Sequence, residues 1–145
     1  MEWIKALQGK TVGLDTAPLI YFIEENPIYF EPARLFFEAM DRDEYSVVTS
    51  TVTLLEVLVH PLRNNNAMLA AEYRDILLSS KLMTIDISSE IAEQAARLRA
   101  AHNIRTPDAI QIGAALHAGA THFLTNDIRL PEIPGIQIVS LDSVR

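Results

Sequence analysis

Short apolar runs alternate along the chain with longer amphipathic stretches. Thr11-Val-Gly-Leu-Asp15, Tyr45-Ser-Val-Val-Thr49 and His122-Phe-Leu-Thr125 read as strands. Each is short and bounded by polar or turn residues, as expected of strands covered on both faces. Leu82-Met-Thr-Ile85 and Ile136-Gln-Ile-Val139 are weaker strand candidates, the latter set off by Pro134-Gly135. Helical patterns separate them: Pro18 to Glu25, Glu31 to Arg42, Thr53 to Val59 (stopped before Pro61), Ala67 to Leu78, and Ser88 to His102 with Ser88 as its cap. A further helix opens on Thr106-Pro107-Asp108, with Thr106 as N-cap, and ends at Gly119. Strands alternating with helices predict an α/β fold: a mostly parallel twisted sheet between two helical layers. In such sheets ligands collect beyond the carboxyl ends of the strands, where strand order reverses.

The 145 residues fit one domain, 1–145, and nothing in them repeats. The 12 basic and 19 acidic side chains give a net charge of −7, which argues against a protein whose main hold on nucleic acid is a basic surface. Cysteine is absent, which excludes disulfides, thiolate zinc sites and cysteine nucleophiles and suits a reducing cytoplasm. No stretch approaches the roughly 18 apolar residues of a membrane span, and Met1 to Gly9, with acidic Glu2, does not read as a secretory signal.

Four acids stand where chemistry is expected. Asp15 ends the first strand, Asp127 follows the His122 strand, Asp108 lies in the first turn of its helix, and Glu56 interrupts the apolar Thr53-Leu-Leu-Glu-Val-Leu. Each has an ordinary reading. Asp108 suits a helix dipole, Asp15 a cap, Asp127 an Asn-Asp turn and Glu56 a solvated helix face. Brought together, they would not coexist uncompensated. Two carboxylates about 5 Å apart repel by roughly 3 kcal/mol at an effective dielectric near 20. Either some of the acids are protonated or a cation completes the group, and an all-oxygen donor set favours Mg²⁺ or Mn²⁺. Such an ion is the usual apparatus of phosphodiester hydrolysis.

The pieces Gly13-Leu-Asp15-Thr16 with Leu19-Ile20-Tyr21, Thr53-Leu-Leu-Glu56-Val57, Thr106-Pro-Asp108-Ala-Ile-Gln-Ile and Phe123-Leu-Thr-Asn-Asp127, in this order, resemble the PIN-domain ribonucleases, especially VapC-type toxins of toxin–antitoxin pairs. The resemblance runs from about Thr11 to Asp142. It implies strand order 3-2-1-4-5, a Mg²⁺-dependent endoribonuclease that is usually a homodimer, and an antitoxin partner. Asp15, Glu56, Asp108 and Asp127 match the acidic quartet, with Asp15, Asp108 and Asp127 toward the metal and Glu56 toward the attacking water. Thr16, Thr125 and Asn126 match polar neighbours, and Arg105 and Arg129 are candidates to grip phosphate, or simply to neutralise adjacent acids. The chain departs from the pattern at Ala17-Pro18, where many members carry Ser or Asn. Two other functions stand beside this one: a catalytically silent PIN-like binding module, and a different Mg²⁺-dependent phosphohydrolase. Against the latter, Ala17 stands where an aspartyl-nucleophile enzyme would carry a second acid. His60, His102, His117 and His122 show no metal-pair spacing and are assigned no role. Arg63-Asn-Asn-Asn66 is a loop through which RNA choice could be exerted.

Overall fold

The computed structural model describes all 145 residues, Met1 to Arg145. Five strands form one sheet: β1 (Thr11–Leu14), β2 (Ser46–Ser50), β3 (Met83–Ile85), β4 (His122–Thr125) and β5 (Gln137–Ser140). Their order is β3-β2-β1-β4-β5, and every pairing is parallel. The expected mostly parallel sheet is therefore wholly parallel. Eight helices accompany it: α1 (Glu2–Lys5), α2 (Thr16–Ile23), α3 (Phe30–Asp41), α4 (Thr51–Arg63), α5 (Ala67–Ser79), α6 (Ser89–Ala101), α7 (Thr106–His117) and α8 (Leu141–Val144). None is long and apolar enough to cross a membrane.

Two apolar clusters cover the sheet. The larger gathers Val12, Leu14, Leu19, Phe36, Phe37, Val47 and Tyr73, and the smaller gathers Leu98, Ile104, Ile112, Ala115, Phe123 and Ile133. Alternate residues of the central strands feed opposite sides, since successive strand side chains point to opposite faces. Leu14 and Leu124 join the first cluster, whereas Phe123 joins the second.

Gly13 lets α7 settle onto the sheet. A Cβ there would stand 2.5 Å from the Cβ of Ala115 and 2.9 Å from the ring of Phe123. Only hydrogen fits, and the close approach fixes the height at which α7 carries Asp108.

Several sequence expectations are corrected. Asp15 is not the last residue of β1 but the N-cap of α2, its side chain accepting the Thr16 N–H at 2.8 Å. α4 does not stop before Pro61: it starts two residues earlier than expected, capped by Ser50, and runs on to Arg63. Pro61 is buried, and the Asn64 side chain donates to the His60 carbonyl at 3.0 Å, so packing and a bond at the helix end hold the last turn despite the proline. Thr106 is the first residue of α7 rather than its cap. Arg105 holds the cap position without a side-chain bond, while Thr106 Oγ1 accepts from Arg99. Ser88 caps α6 as expected, accepting the Ile91 N–H at 3.2 Å.

Candidate functional site

The carboxyl ends of β1 and β4 adjoin, with Leu14 opposite Leu124, and strand order reverses between them. Asp15 leaves the sheet here, its N–H donating to the Leu124 carbonyl at 2.9 Å. Its carboxylate receives Thr16 N–H on one oxygen and Thr125 Oγ1, at 2.7 Å, on the other. Thr125 is fully buried, and its hydroxyl also accepts the Asp127 N–H at 3.0 Å. One hydroxyl thus sets the positions of two of the four acids.

α4 brings the third. Glu56 lies on the exposed side of the helix, away from buried Val57, and accepts Thr16 Oγ1 at 2.6 Å. α7 brings the fourth, Asp108, which is 7% exposed and accepts Arg105 Nε at 3.0 Å. Asp15, Glu56, Asp108 and Asp127 all line one cleft of about 360 Å³, together with Thr16, Ala17, Tyr21, Asn126, Arg105 and Arg129. All of the acids expected from the sequence are therefore brought to one place. Of the other candidates only Thr125 does not line the cleft; it lies beneath, bonded to Asp15. No histidine lines it.

Charge is unevenly balanced across the cleft. Burial is the largest influence on Asp15 and pushes its carboxyl above the usual range, with Asp108 and Glu56 adding repulsion, while the Thr125 and Thr16 bonds pull the other way. Asp127 is held below the usual range, chiefly by Arg129, whose Nε and Nη2 reach its two oxygens at 3.0 and 3.2 Å. Arg105 spans the gap, with its Nη2 3.9 Å from Asp127. Both arginines thus stand beside acids in this arrangement.

An all-oxygen donor set in which two carboxylates, Asp15 and Glu56, lack a counter-charge suits Mg²⁺ or Mn²⁺ in its chemistry. In the observed side-chain positions, however, no three acids stand close enough together to hold an ion. Asp108 and Asp127 are turned onto arginines instead.

Sequence reasoning missed the support beneath the cleft. Gln111, 3% exposed on α7, donates to Thr53 Oγ1 and accepts Ser50 Oγ at 2.6 Å. Thr53 and Thr49 share a bond at 2.8 Å, and Thr49 donates to the Leu14 carbonyl at 2.9 Å. Gln111 Nε2 also donates to Thr16 Oγ1 at 3.4 Å and so supports the hydroxyl that donates to Glu56. The signal was available: Gln111 lies one turn after Asp108 in an otherwise apolar helix. On the rim, Asn126 donates to Tyr21 Oη at 3.3 Å and accepts the Asp142 N–H at 2.9 Å, tying the cleft to α8.

The model of the PIN domain family matches residues 12–136, and the chain belongs to that family. Solved structures with the same fold include VapBC2 from Rickettsia felis bound to a DNA fragment from their promoter (TM-score 0.69, 21% identity, 90% of this chain and 98% of that one). A toxin–antitoxin complex from Klebsiella pneumoniae is similar at TM-score 0.68 and 24% identity, over 90% and 97% of the two chains. Mycobacterium tuberculosis VapC20, a Sarcin-Ricin loop cleaving toxin, follows at 0.64 and 17%, over 78% and 86%. At these identities the likeness is one of fold. No curated protein sequence matches the chain.

Proposed function

We propose that this protein is a metal-dependent endoribonuclease, the toxin of a toxin–antitoxin pair acting in the cytoplasm. The observation that carries the reading is the convergence of Asp15, Glu56, Asp108 and Asp127 on one cleft at the carboxyl ends of β1 and β4. Membership of the PIN family supports it, as does the likeness in fold to VapC20, whose described activity is cleavage of the Sarcin-Ricin loop.

Asp15, Asp108 and Asp127 would hold Mg²⁺ or Mn²⁺, which when bound supplies charge stabilisation at phosphorus and a more acidic water. The protein's own groups do the rest. Thr125 and the Thr16 N–H hold the Asp15 carboxylate in one orientation. Thr16 Oγ1, supported by Gln111, aims Glu56, whose carboxylate lies at the mouth of the cleft, where it can take a proton from water. Arg105 and Arg129, both largely exposed, supply guanidinium forks on the same wall, able to meet the phosphates of RNA.

Two surfaces support partners. Phe22, Ile23, Phe37, Met40 and Ile76 floor a groove of about 520 Å³ between α2, α3 and α5, edged by Asp41, Glu72 and Asp75. An antitoxin segment with apolar and basic side chains would complement it. Leu55, Val59 and Leu62 form an exposed stripe at helical spacing on α4, 67%, 44% and 56% accessible, which a second copy in a homodimer would cover.

The test is cleavage of a mixed RNA pool over a Mg²⁺ and Mn²⁺ titration. Wild type is expected to cut only with metal, Asp15→Asn and Asp108→Asn not at all, and Glu56→Gln about 10²–10⁴-fold more slowly. Retained full activity in Asp15→Asn or Asp108→Asn would refute the assignment. An inactive wild type would favour the silent binding module, and metal-independent cleavage would overturn the metal assignment.

A further inference from the structure

Arg105, Asp108, Asp127 and Arg129 line two clefts at once. On one side lies the acidic cleft. On the other is a second one of about 310 Å³, completed by Arg99, Asn103, Ile104 and Leu130 and containing neither Asp15 nor Glu56. The four side chains are therefore a partition, with carboxylates and guanidiniums paired along it.

The pairing engages three of the four carboxylate oxygens of Asp108 and Asp127 that an ion would use. Both Asp127 oxygens accept from Arg129, and Oδ1 also takes the Arg129 backbone N–H at 2.9 Å. Asp108 Oδ2 accepts from Arg105. A divalent cation and a guanidinium repel each other and cannot share these oxygens at full strength. The arginines themselves are loosely held, with 64% of the Arg105 side chain and 72% of that of Arg129 exposed. The carboxylates are not, Asp108 being 9% and Asp127 16% exposed, so the guanidiniums can swing into solvent only if another positive charge takes their place beside the acids. Arg99, in contrast, is fixed within the second cleft by bonds to the Ile104 carbonyl at 3.0 Å and Thr106 Oγ1 at 2.8 Å. A guanidinium released from the partition thus meets a cleft that already holds a fixed cation and lacks the two remaining acids.

We propose that Arg105 and Arg129 exchange partners: in the free protein they hold Asp108 and Asp127 away from the metal, and in the substrate complex they turn to a flanking RNA phosphate in the second cleft. Metal and RNA then bind cooperatively, because each removes the arginines' competition for the other's site. The inference rests on the ribonuclease reading, and it adds the second cleft as a backbone subsite and the arginines as positioning residues that also gate the metal.

Mn²⁺ binding by calorimetry on the RNA-free protein tests the exchange. Arg129→Gln is expected to bind Mn²⁺ about fivefold more tightly than wild type, Arg105→Gln to tighten it less, and Arg129→Lys to lie between wild type and Arg129→Gln. Arg74→Gln, on the exposed face of α5, makes the same change in net charge and is expected to leave the affinity unchanged. A phosphorothioate RNA pool, verified intact by gel, should raise the Mn²⁺ affinity of wild type by about fivefold or more and that of Arg129→Gln by less. If Asp15→Asn abolishes Mn²⁺ binding but Arg129→Gln binds it no more tightly than Arg74→Gln, the exchange is overturned while the ion site stands. If Asp15→Asn and Asp108→Asn leave Mn²⁺ binding untouched, the ion site is elsewhere, and the ribonuclease reading falls with the exchange.

Discussion

Thr125 donates a hydrogen bond of 2.7 Å to Asp15 from a position 110 residues further along the chain. The two sit at the ends of neighbouring strands, and the same hydroxyl receives the Asp127 N–H. Replacing Thr125 by Val keeps the volume and removes both bonds, so stability should fall by about 1–3 kcal/mol in denaturant unfolding. Loss of the donor removes an influence that holds the Asp15 carboxyl down. The acidic limb of the cleavage profile should therefore move to higher pH, with Thr125→Ser restoring it.

Asp15 also sets a conflict between stability and function. Its carboxyl is raised in the folded protein, mainly by burial. The sign follows: stability from this group is complete below the ordinary carboxylate range and is lost as pH rises through the raised folded value. Asp15→Asn carries no charge and escapes that loss. In EDTA its Tm should match wild type near pH 3 and exceed it once pH has risen above the ordinary carboxylate range. Added Mn²⁺ should reverse the order by stabilising only wild type. A variant less stable than wild type in EDTA at neutral pH would contradict this account.

Gly13→Ala tests the close approach of α7 to β1. The added methyl meets Ala115 and Phe123 well inside van der Waals distance, so α7 must shift. Overpacking of this kind costs about 1–3 kcal/mol. The same shift moves Asp108, so Mn²⁺ affinity should drop in a variant that retains helical circular dichroism.

Gln111 joins α7 to Thr53 on α4 and to Ser50 at its cap. Gln111→Leu would leave two buried hydroxyls short of a partner at a cost of about 1–3 kcal/mol. Its effect on cleavage should fall on kcat rather than KM, because the network ends at Thr16 and Glu56 and touches none of the exposed arginines.

The partner groove makes a separate prediction. Glu72→Lys with Asp75→Lys reverses two of the three acids on its rim, and neither residue lines the acidic cleft. Affinity for a basic, apolar partner segment should fall at least tenfold, a loss of about 1.4 kcal/mol. RNA cleavage by the free protein should be unchanged.

Local signals made much of this legible in advance. The short apolar runs announced the strands, and Asp15, Glu56, Asp108 and Asp127 drew attention through their places at strand ends or within an apolar helical turn. Boundaries were less legible where a side chain elsewhere decided them. α4 runs through Pro61 because burial and Asn64 support its last turn, and Thr106 gives up the cap position while its hydroxyl serves Arg99.

By itself the sequence determined the alternation of strand and helix, the all-oxygen character of the candidate ligands and the absence of cysteine chemistry. These follow from periodicity and residue type, which are local properties. Tertiary structure alone decided that Thr125 would orient Asp15, that Gln111 would brace Glu56 through Thr16, and that Arg129 would occupy both oxygens of Asp127. Hydrogen bonds and ion pairs depend on distances of about 3 Å, and most of these are set only when strands and helices far apart in the chain are packed together. Even the Arg129 pair, two residues from its partner, depends on which way the backbone turns beyond β4.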